Sequence, residues 1–100
     1  MTPVLPKGLS FQVASVKSNK KYIAVLPNGQ RIKFGSRGYE HYEDSVPKEL
    51  GGGKWSSKNH GDKERRKNYR ARHRGILNKE GIPSYKIRYT PAWFSYYFLW

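Results

Sequence analysis

The stretch that decides the fold spans residues 20–36 and reads KKYIAVLPNGQRIKFGS. Two runs of strand-forming residues flank Asn28-Gly29, the pair that the two-residue loop of a type I′ hairpin prefers. With that loop, Val25 pairs with Ile32, and the apolar residues of the two strands share one face. We therefore predict an antiparallel hairpin with one buried face.

The segment ahead of this hairpin is also strand-like, since Phe11 and Val13 occupy alternate positions within residues 9–16. A lone hairpin is only marginally stable in water, whereas three strands can bury a face. The sequence thus predicts a three-stranded antiparallel β-meander over residues 9–36, preceded by an N-terminal arm of residues 1–8.

A basic helix is predicted over residues 61–75. Asp62 is a suitable N-cap, Glu64 favours the positive end of the helix dipole, and Gly75 can take the left-handed conformation that ends a helix. The apolar stripe of this helix is thin. The cationic side chains that we assign to binding an anionic partner are Arg65, Arg66, Lys67, Arg70, Arg72 and Arg74.

Residues 91–100 form an aromatic segment for which we predict a short C-terminal helix. Thr90 supplies an N-cap and Pro91 suits the first helical position. The aromatic surface exceeds what one small sheet can cover, so these side chains either complete the core or meet another molecule. The residues that we assign to an interface are Trp93, Tyr96, Phe98 and Trp100.

Two further segments are less regular. Residues 37–60 contain acidic residues around His41 and three consecutive glycines, which predicts a loop region. Within residues 76–90, apolar and basic side chains alternate from Tyr85 to Tyr89, which is typical of an extended segment or strand. With the elements above, the pattern predicts a single α+β domain.

The charge of the chain points to an anionic partner. Among 100 residues there are 20 lysines and arginines against 7 acidic residues, giving a formal net charge of +13. The partner is either nucleic acid or an acidic protein surface, unless the basic helix is simply a solvated face. No zinc-finger spacing, RNA-recognition strand or basic region joined to heptads accompanies the charge.

Few residues suggest catalysis or metal binding. Cysteine is absent, and His41, His60 and His73 fit no standard metal spacing, so we assign the histidines structural roles and predict no metal. Without a nucleophile motif or converging acid and base, we predict no enzymatic activity, no cofactor and no small-molecule substrate; a nuclease-like enzyme is the least favoured class. The beginning of the sequence shows no secretory signal, and the apolar segment at residues 91–100 is too short to cross a bilayer.

An ordered series of short motifs runs through residues 20–100. The motifs are LPNGQRIKFG at residues 26–35, Gly38-Tyr39, Tyr42, DKERRKNYRARH at residues 62–73, AWFS at residues 92–95 and Leu99-Trp100. In this series the chain resembles a family of small uncharacterised basic proteins of large nucleocytoplasmic DNA viruses, which include viruses of algae and amoebae. The family is associated with no enzymatic residue. The resemblance implies a viral protein and a minor component of the virion.

Residues and resemblance together predict a non-enzymatic minor capsid or cement protein, made in the host cytoplasm and located in the virion. Its basic helix and aromatic end are expected to bind the major capsid protein and neighbouring minor capsid proteins. The alternative is a sequence-nonspecific nucleic-acid-binding virion protein whose cations meet phosphates and whose tyrosines stack on bases. Contact with a membrane surface is a less favoured alternative.

Overall fold

The fold is built from one antiparallel sheet and two helices, and the computed structural model describes residues 5–100. The strands are β1 (Ser10–Val13), β2 (Lys20–Val25) and β3 (Arg31–Ser36), hydrogen-bonded in the order β1-β2-β3. The helices are α1 (Lys63–Arg74) and α2 (Pro91–Phe98). Short 3₁₀ turns lie at Val16–Ser18, Lys48–Leu50, Ser56–Lys58 and Ser84–Lys86. The predicted α+β fold, with its three-stranded meander, basic helix and aromatic helix, is confirmed.

The hairpin between β2 and β3 closes with a three-residue loop rather than the predicted two-residue type I′ loop. Leu26 N donates to Gln30 O at 2.8 Å, and Gly29 N donates to Leu26 O at 2.9 Å. A type I′ turn needs positive φ at both central residues, whereas only Gly29, at φ +88°, is left-handed here. Pro27 explains the difference, because its fixed φ suits the second position of a type I turn and places Asn28 third.

This loop shifts the strand register by one residue. Val25 pairs with Arg31, so the predicted pairing with Ile32 is wrong. A shift of one residue exchanges the two faces of a strand, and the core face of β2 is therefore that of Tyr22. Tyr22 pairs with Phe34, and their rings stack with centroids 5.7 Å apart.

α2 covers this face of the sheet and contributes Trp93, Phe94 and Phe98 to the core. Phe94 stacks on Phe34 with ring centroids 5.1 Å apart, and Phe98 meets Phe11 edge to face at 5.6 Å. All four side chains are buried. Of the predicted N-terminal arm, residues 1–4 lie outside the described residues, and Leu5 packs against the core.

The predicted loop between β3 and α1 is held in place by polar contacts. Asp44 accepts hydrogen bonds from the Tyr22 hydroxyl at 2.5 Å and from Trp55 N at 2.9 Å. Burial, with the hydrogen bond to Asp44 second, raises the pKa of Tyr22 far above its usual range. Ser45 N donates to Phe98 O at 2.8 Å, so the loop is also tied to α2.

Two glycines let this loop pack closely, Gly51 against the sheet and Gly52 against another part of the loop. Gly51 has φ +108°, and a Cβ there would lie 2.1 Å from Phe11 O. A Cβ on Gly52 would lie 2.0 Å from Val46 O. Because both neighbours are backbone atoms, any side chain at either position would displace the main chain.

The basic helix α1 begins where the sequence predicts. The Asp62 side chain accepts hydrogen bonds from Glu64 N at 3.0 Å and Arg65 N at 3.2 Å, which confirms the N-cap. The left-handed conformation predicted for Gly75 is wrong, since its φ is −90°. Gly75 N instead donates to Arg72 O at 3.1 Å, so the helix ends by tightening its last turn.

Residues 76–90 contain no strand, which was one of the two forms predicted for the stretch from Tyr85 to Tyr89, the other being an extended segment. Leu77 and Pro83 make an isolated antiparallel bridge, and a 3₁₀ turn follows at Ser84–Lys86. This turn contacts α1 and α2 rather than a strand, so its backbone hydrogen bonds close locally. Tyr85 stacks on Tyr96 of α2 with ring centroids 4.2 Å apart, which accounts for the buried side of the alternating pattern.

α2 begins with the predicted cap. Thr90 Oγ1 accepts a hydrogen bond from Trp93 N at 3.2 Å, and Pro91 occupies the first turn. Within residues 5–100 no helix has the length and apolar character needed to span a bilayer.

Candidate anion-binding surface

α1 lies on the surface along its whole length, and none of its residues is buried. Seven of its twelve residues are lysine or arginine. The cationic side chains of α1 that are exposed are Lys63, Arg65, Lys67, Arg72 and Arg74. We call Lys63, Lys67 and Arg74 the outer cations.

Two cations of α1, Arg66 and Arg70, make contacts within the chain. Arg66 Nε and Arg70 Nε both donate to the main-chain oxygen of Trp100, at 2.8 and 3.2 Å. The Arg66 guanidinium lies over the ring of Tyr42 at 4.7 Å, and that of Arg70 over the ring of Tyr96 at 4.8 Å. Burial lowers the pKa of Arg70 below its usual value. These two predicted binding residues are thus half-buried and make contacts within the chain.

A column of aromatic rings docks α1 against the C-terminal segment. The Tyr69 ring lies between those of His73 and Trp100, with centroids 4.0 and 4.1 Å away. His60 continues the column beyond Trp100 at 5.1 Å. Burial raises the pKa of Tyr69 to about 12, so its hydroxyl stays neutral at physiological pH.

The positive charge of the surface is almost uncompensated. All 20 lysines and arginines lie within the described residues, and one ion pair forms there, between Arg65 Nη1 and Glu40 Oε1 at 3.1 Å. Such an exposed pair contributes at most about 1 kcal/mol and leaves Arg65 partly accessible. A shallow groove of about 260 Å³ on the helix is lined by Lys63, Arg66, Lys67, Arg70 and Arg74.

The aromatic residues assigned to an interface lie mostly inside the molecule. Trp93, Tyr96 and Phe98 are buried, so their assignment as surface anchors is wrong. The segment forms core because α2 is packed on one side by the sheet and on the other by the turn at Ser84–Lys86. Trp100 is half-buried and stacks on Tyr69.

A second concave surface, which we call the cleft, lies beside α1 and has a volume of about 560 Å³. Its walls come from the ends of β2 and β3, the following loop, α1 and α2. Charged and aromatic residues both line it, including Lys20, Tyr39, Arg65, Tyr69, Arg72 and His73. Tyr39 is 74% exposed, the most exposed aromatic residue of the described chain.

The floor of the cleft adjoins a buried lysine–histidine pair. Lys21 Nζ lies 2.8 Å from His41 Nδ1 and donates to Tyr39 O at 2.6 Å. His41 Nε2 lies 2.7 Å from Asn59 Oδ1, so His41 is neutral with its proton on Nε2. Burial first, and then the charge of Lys21, lowers the pKa of His41 to about 4. Burial, reinforced by Lys58, lowers the pKa of Lys21 to about 8. His41 thus has the structural role predicted for it.

The other two histidines are also tied into the fold. His60 Nδ1 accepts a hydrogen bond from Asp62 N at 2.9 Å, and His73 stacks on Tyr69. Desolvation lowers the pKa of both, assisted by the charges of Arg65 and Arg72 respectively. In the part of the chain that the structure describes, no cluster of three or more His, Asp or Glu side chains could hold a metal ion.

A family of unknown function (DUF5754) matches residues 13–50, which run from the end of β1 to the turn at Lys48–Leu50. No curated protein and no solved structure matches the chain. The matched stretch includes Lys21, Tyr39 and His41 but neither helix. The match therefore concerns the sheet and one wall of the cleft, and it says nothing about the basic helix.

The structure brings together residues that sequence reasoning had not connected. Of the six predicted cationic residues, Arg65 and Arg72 line the cleft, Lys67 and Arg74 face the outer side, and Arg66 and Arg70 are engaged within the chain. The exposed Tyr39 and the adjoining Lys20 were not predicted as binding residues.

Proposed function

We propose that this chain is a non-enzymatic, sequence-nonspecific nucleic-acid-binding protein. The observation that carries the proposal is that, within residues 5–100, the 20 lysines and arginines form one ion pair with an acidic side chain, Arg65–Glu40. A surface that keeps so many cations free of carboxylates is suited to a dense polyanion, because neutralising phosphates releases condensed counterions. Guanidinium groups add geometry, since they bind phosphate with two parallel donors.

Nucleic acid is favoured over an acidic protein surface because the outer face of α1 lacks apolar anchors. Lys63, Lys67 and Arg74 are exposed without a large apolar residue between them. Interfaces between proteins centre on buried aromatic or aliphatic anchors, and three of the four aromatic residues assigned to that task, Trp93, Tyr96 and Phe98, are buried within the molecule. A backbone of repeating phosphates needs no such anchor.

The test is the salt dependence of binding to duplex DNA. We expect log K to fall linearly with log salt, and the variant Lys63→Gln/Lys67→Gln/Arg74→Gln to lower the slope by about 3. The matched control, Lys17→Gln/Lys33→Gln/Lys48→Gln, removes three exposed cations outside α1. It therefore has the same net charge as the variant of the outer cations. Equal losses in both variants would show that binding follows net charge alone and would overturn the role of α1.

A second proposal is the role in the capsid, as a minor capsid or cement protein located in the virion. One observation favours it: Ile76, Leu77 and Ile82, which follow α1, are exposed apolar residues beside the bridge of Leu77 and Pro83. An apolar patch flanked by Arg74 is the kind of surface that docks on another protein. The resemblance to small proteins of large DNA viruses adds to this proposal.

The two proposals are separated by fractionating virus particles. Recovery of the chain in fixed proportion to the major capsid protein in stripped, DNA-free shells would support the capsid role. Release of the chain together with the genome would support nucleic-acid binding. We expect Leu77→Ala to impair recovery in shells and to leave DNA affinity unchanged.

A further inference from the structure

The lining of the cleft contains four lysines and arginines, of which Lys21 is buried, and one acidic side chain. Lys20, Arg65 and Arg72 line it, and Glu40 is already paired with Arg65 at 3.1 Å. Arg72 lies 5.9 Å from the centroid of the Tyr69 ring, so the cation sits next to an aromatic wall. The cleft is therefore suited to a ligand that is anionic at one end and flat at the other.

Aromatic rings in the cleft can bind the flat part of such a ligand by stacking. Tyr39 is 74% exposed, yet its backbone is fixed because its carbonyl accepts a hydrogen bond from the buried Lys21 Nζ at 2.6 Å. An exposed ring on a fixed backbone loses little conformational entropy when a flat ligand stacks on it. Across the cleft, Tyr69 and His73 present stacked rings with centroids 4.0 Å apart.

We infer that the cleft binds one nucleotide unit of single-stranded nucleic acid, with the base stacked on Tyr39 and the phosphate held by Lys20 and Arg72. The inference rests on the proposed function and gives it a preference for unpaired strands. The volume of about 560 Å³ falls in the range of small-molecule sites. A base within a duplex stays stacked between its neighbours and does not reach Tyr39, whereas an unpaired base has both faces free.

A free nucleotide carries the same base and phosphate as a nucleotide unit within a strand. Three probes distinguish the two ligands. The probes are an oligothymidine of about ten nucleotides, a duplex of equal length and thymidine monophosphate. Binding of the first two is followed by fluorescence anisotropy, and that of the third by chemical shifts of the Tyr39 and His73 side chains. Shifts with the monophosphate would show that the cleft takes free nucleotides as well; shifts with the oligothymidine alone would assign it to strands.

The decisive variant is Tyr39→Ala in the full chain. Its backbone carbonyl and hence the bond from Lys21 remain, so we expect an unchanged circular dichroism spectrum. Affinity for the oligothymidine should fall by about 5- to 150-fold, the range found when a base-stacking residue is replaced by alanine. Affinity for the duplex should not change. Leu77→Ala, which removes an exposed side chain outside the cleft, is the matched control and should alter neither affinity.

Failure of this inference differs from failure of the proposed function. If Tyr39→Ala binds the oligothymidine as tightly as the wild type does, the cleft is not a nucleotide site. The proposed function would still stand if the triple variant of the outer cations binds duplex DNA with a smaller salt dependence than the wild type. If the wild type binds neither DNA, both proposals fall. Arg72→Gln provides an independent check, because a lost phosphate contact should lower the salt slope for the oligothymidine by about 0.7.

Discussion

At the scale of single residues, the buried pair of Lys21 and His41 is the least expected arrangement. Two groups that can both carry positive charge lie 2.8 Å apart in the interior. The pair is stable because His41 is neutral and accepts a hydrogen bond from Lys21, while its other nitrogen donates to Asn59. Asp44 and His60 are the other titratable groups that act on His41.

This pair makes stability depend on pH. The pKa of His41 is about 4 in the folded chain, below its usual 6.5, so between those values the unfolded chain binds more protons. Stability contributed by neutral His41 is complete above pH 6.5 and is lost as the pH falls to 4, by about 3 kcal/mol. We expect urea denaturation to show this loss in the wild type and a flatter pH profile in His41→Gln.

Glutamine is the informative replacement because its amide can still accept from Lys21 and donate to Asn59. His73→Gln, at a histidine on the surface helix, serves as the control. Parallel profiles for the wild type and His41→Gln would mean that His41 is not the group responsible.

Local sequence patterns predicted only part of the backbone conformation. Asn28-Gly29 predicted a hairpin correctly, but Pro27 decided its loop and moved the register by one residue. The alternation from Tyr85 to Tyr89 predicted an extended segment or strand, yet alternation records only which side chains face the molecule. Residues 84–86 form a 3₁₀ turn, and the half-buried Tyr85 packs against Tyr96 of α2.

At the scale of elements, α1 is attached to the molecule by very few side chains. Arg66, Tyr69 and Arg70 make the contacts described above with Trp100 and its neighbours. The helix has no buried residue, so these contacts replace an apolar stripe. Two charged donors thus act as structural residues on a helix whose remaining cations are exposed.

Removing these donors should release α1. We expect Arg66→Met/Arg70→Met to lower the free energy of unfolding by about 2 kcal/mol, since each hydrogen bond from a charged group and each cation–π contact is lost. Lys63→Met/Lys67→Met is the matched control, because exposed substitutions usually change stability by no more than about 0.5 kcal/mol. Urea unfolding followed by tryptophan fluorescence measures both. A similar loss in the two double variants would contradict the division between engaged and outer cations.

The caps of both helices were predictable from sequence because each lies within three residues of the group it bonds. Asp62 and Thr90 bond the helical amides as expected. The inward direction of Arg66 and Arg70 was not predictable, since it depends on where Trp100 lies. For the same reason the cleft was not predicted, because its walls come from four separate parts of the chain.

At the scale of the whole molecule, the core depends on contacts between distant parts of the sequence. Phe98 is fully buried and touches Phe11 and Trp93. We expect Phe98→Ala to lower the free energy of unfolding by about 3–5 kcal/mol, a large part of the about 5–15 kcal/mol of a typical domain. Thermal unfolding followed by circular dichroism is the measurement.

Leu77→Ala, at a side chain that is 56% exposed, is the control for this prediction and should leave the unfolding temperature nearly unchanged. If Phe98→Ala proves as mild as Leu77→Ala, α2 is not the support of the sheet. The sequence of residues 91–100 predicted an aromatic helix but not the burial of its side chains, because a surplus of aromatic side chains fits a core and an interface equally well.

The packing of Phe98 on Phe11 also bears on how the chain acquires its structure. β1 lies near the beginning of the sequence and α2 near its end, so the sheet cannot gain its cover until residues 91–98 have been synthesised. Until then the face bearing Phe11, Tyr22 and Phe34 is exposed to water, and the nascent chain presents an aromatic surface that other molecules can bind. Closing so large a loop slows folding, so the interval in which chaperones or neighbouring chains can capture this face is long for a protein of this size.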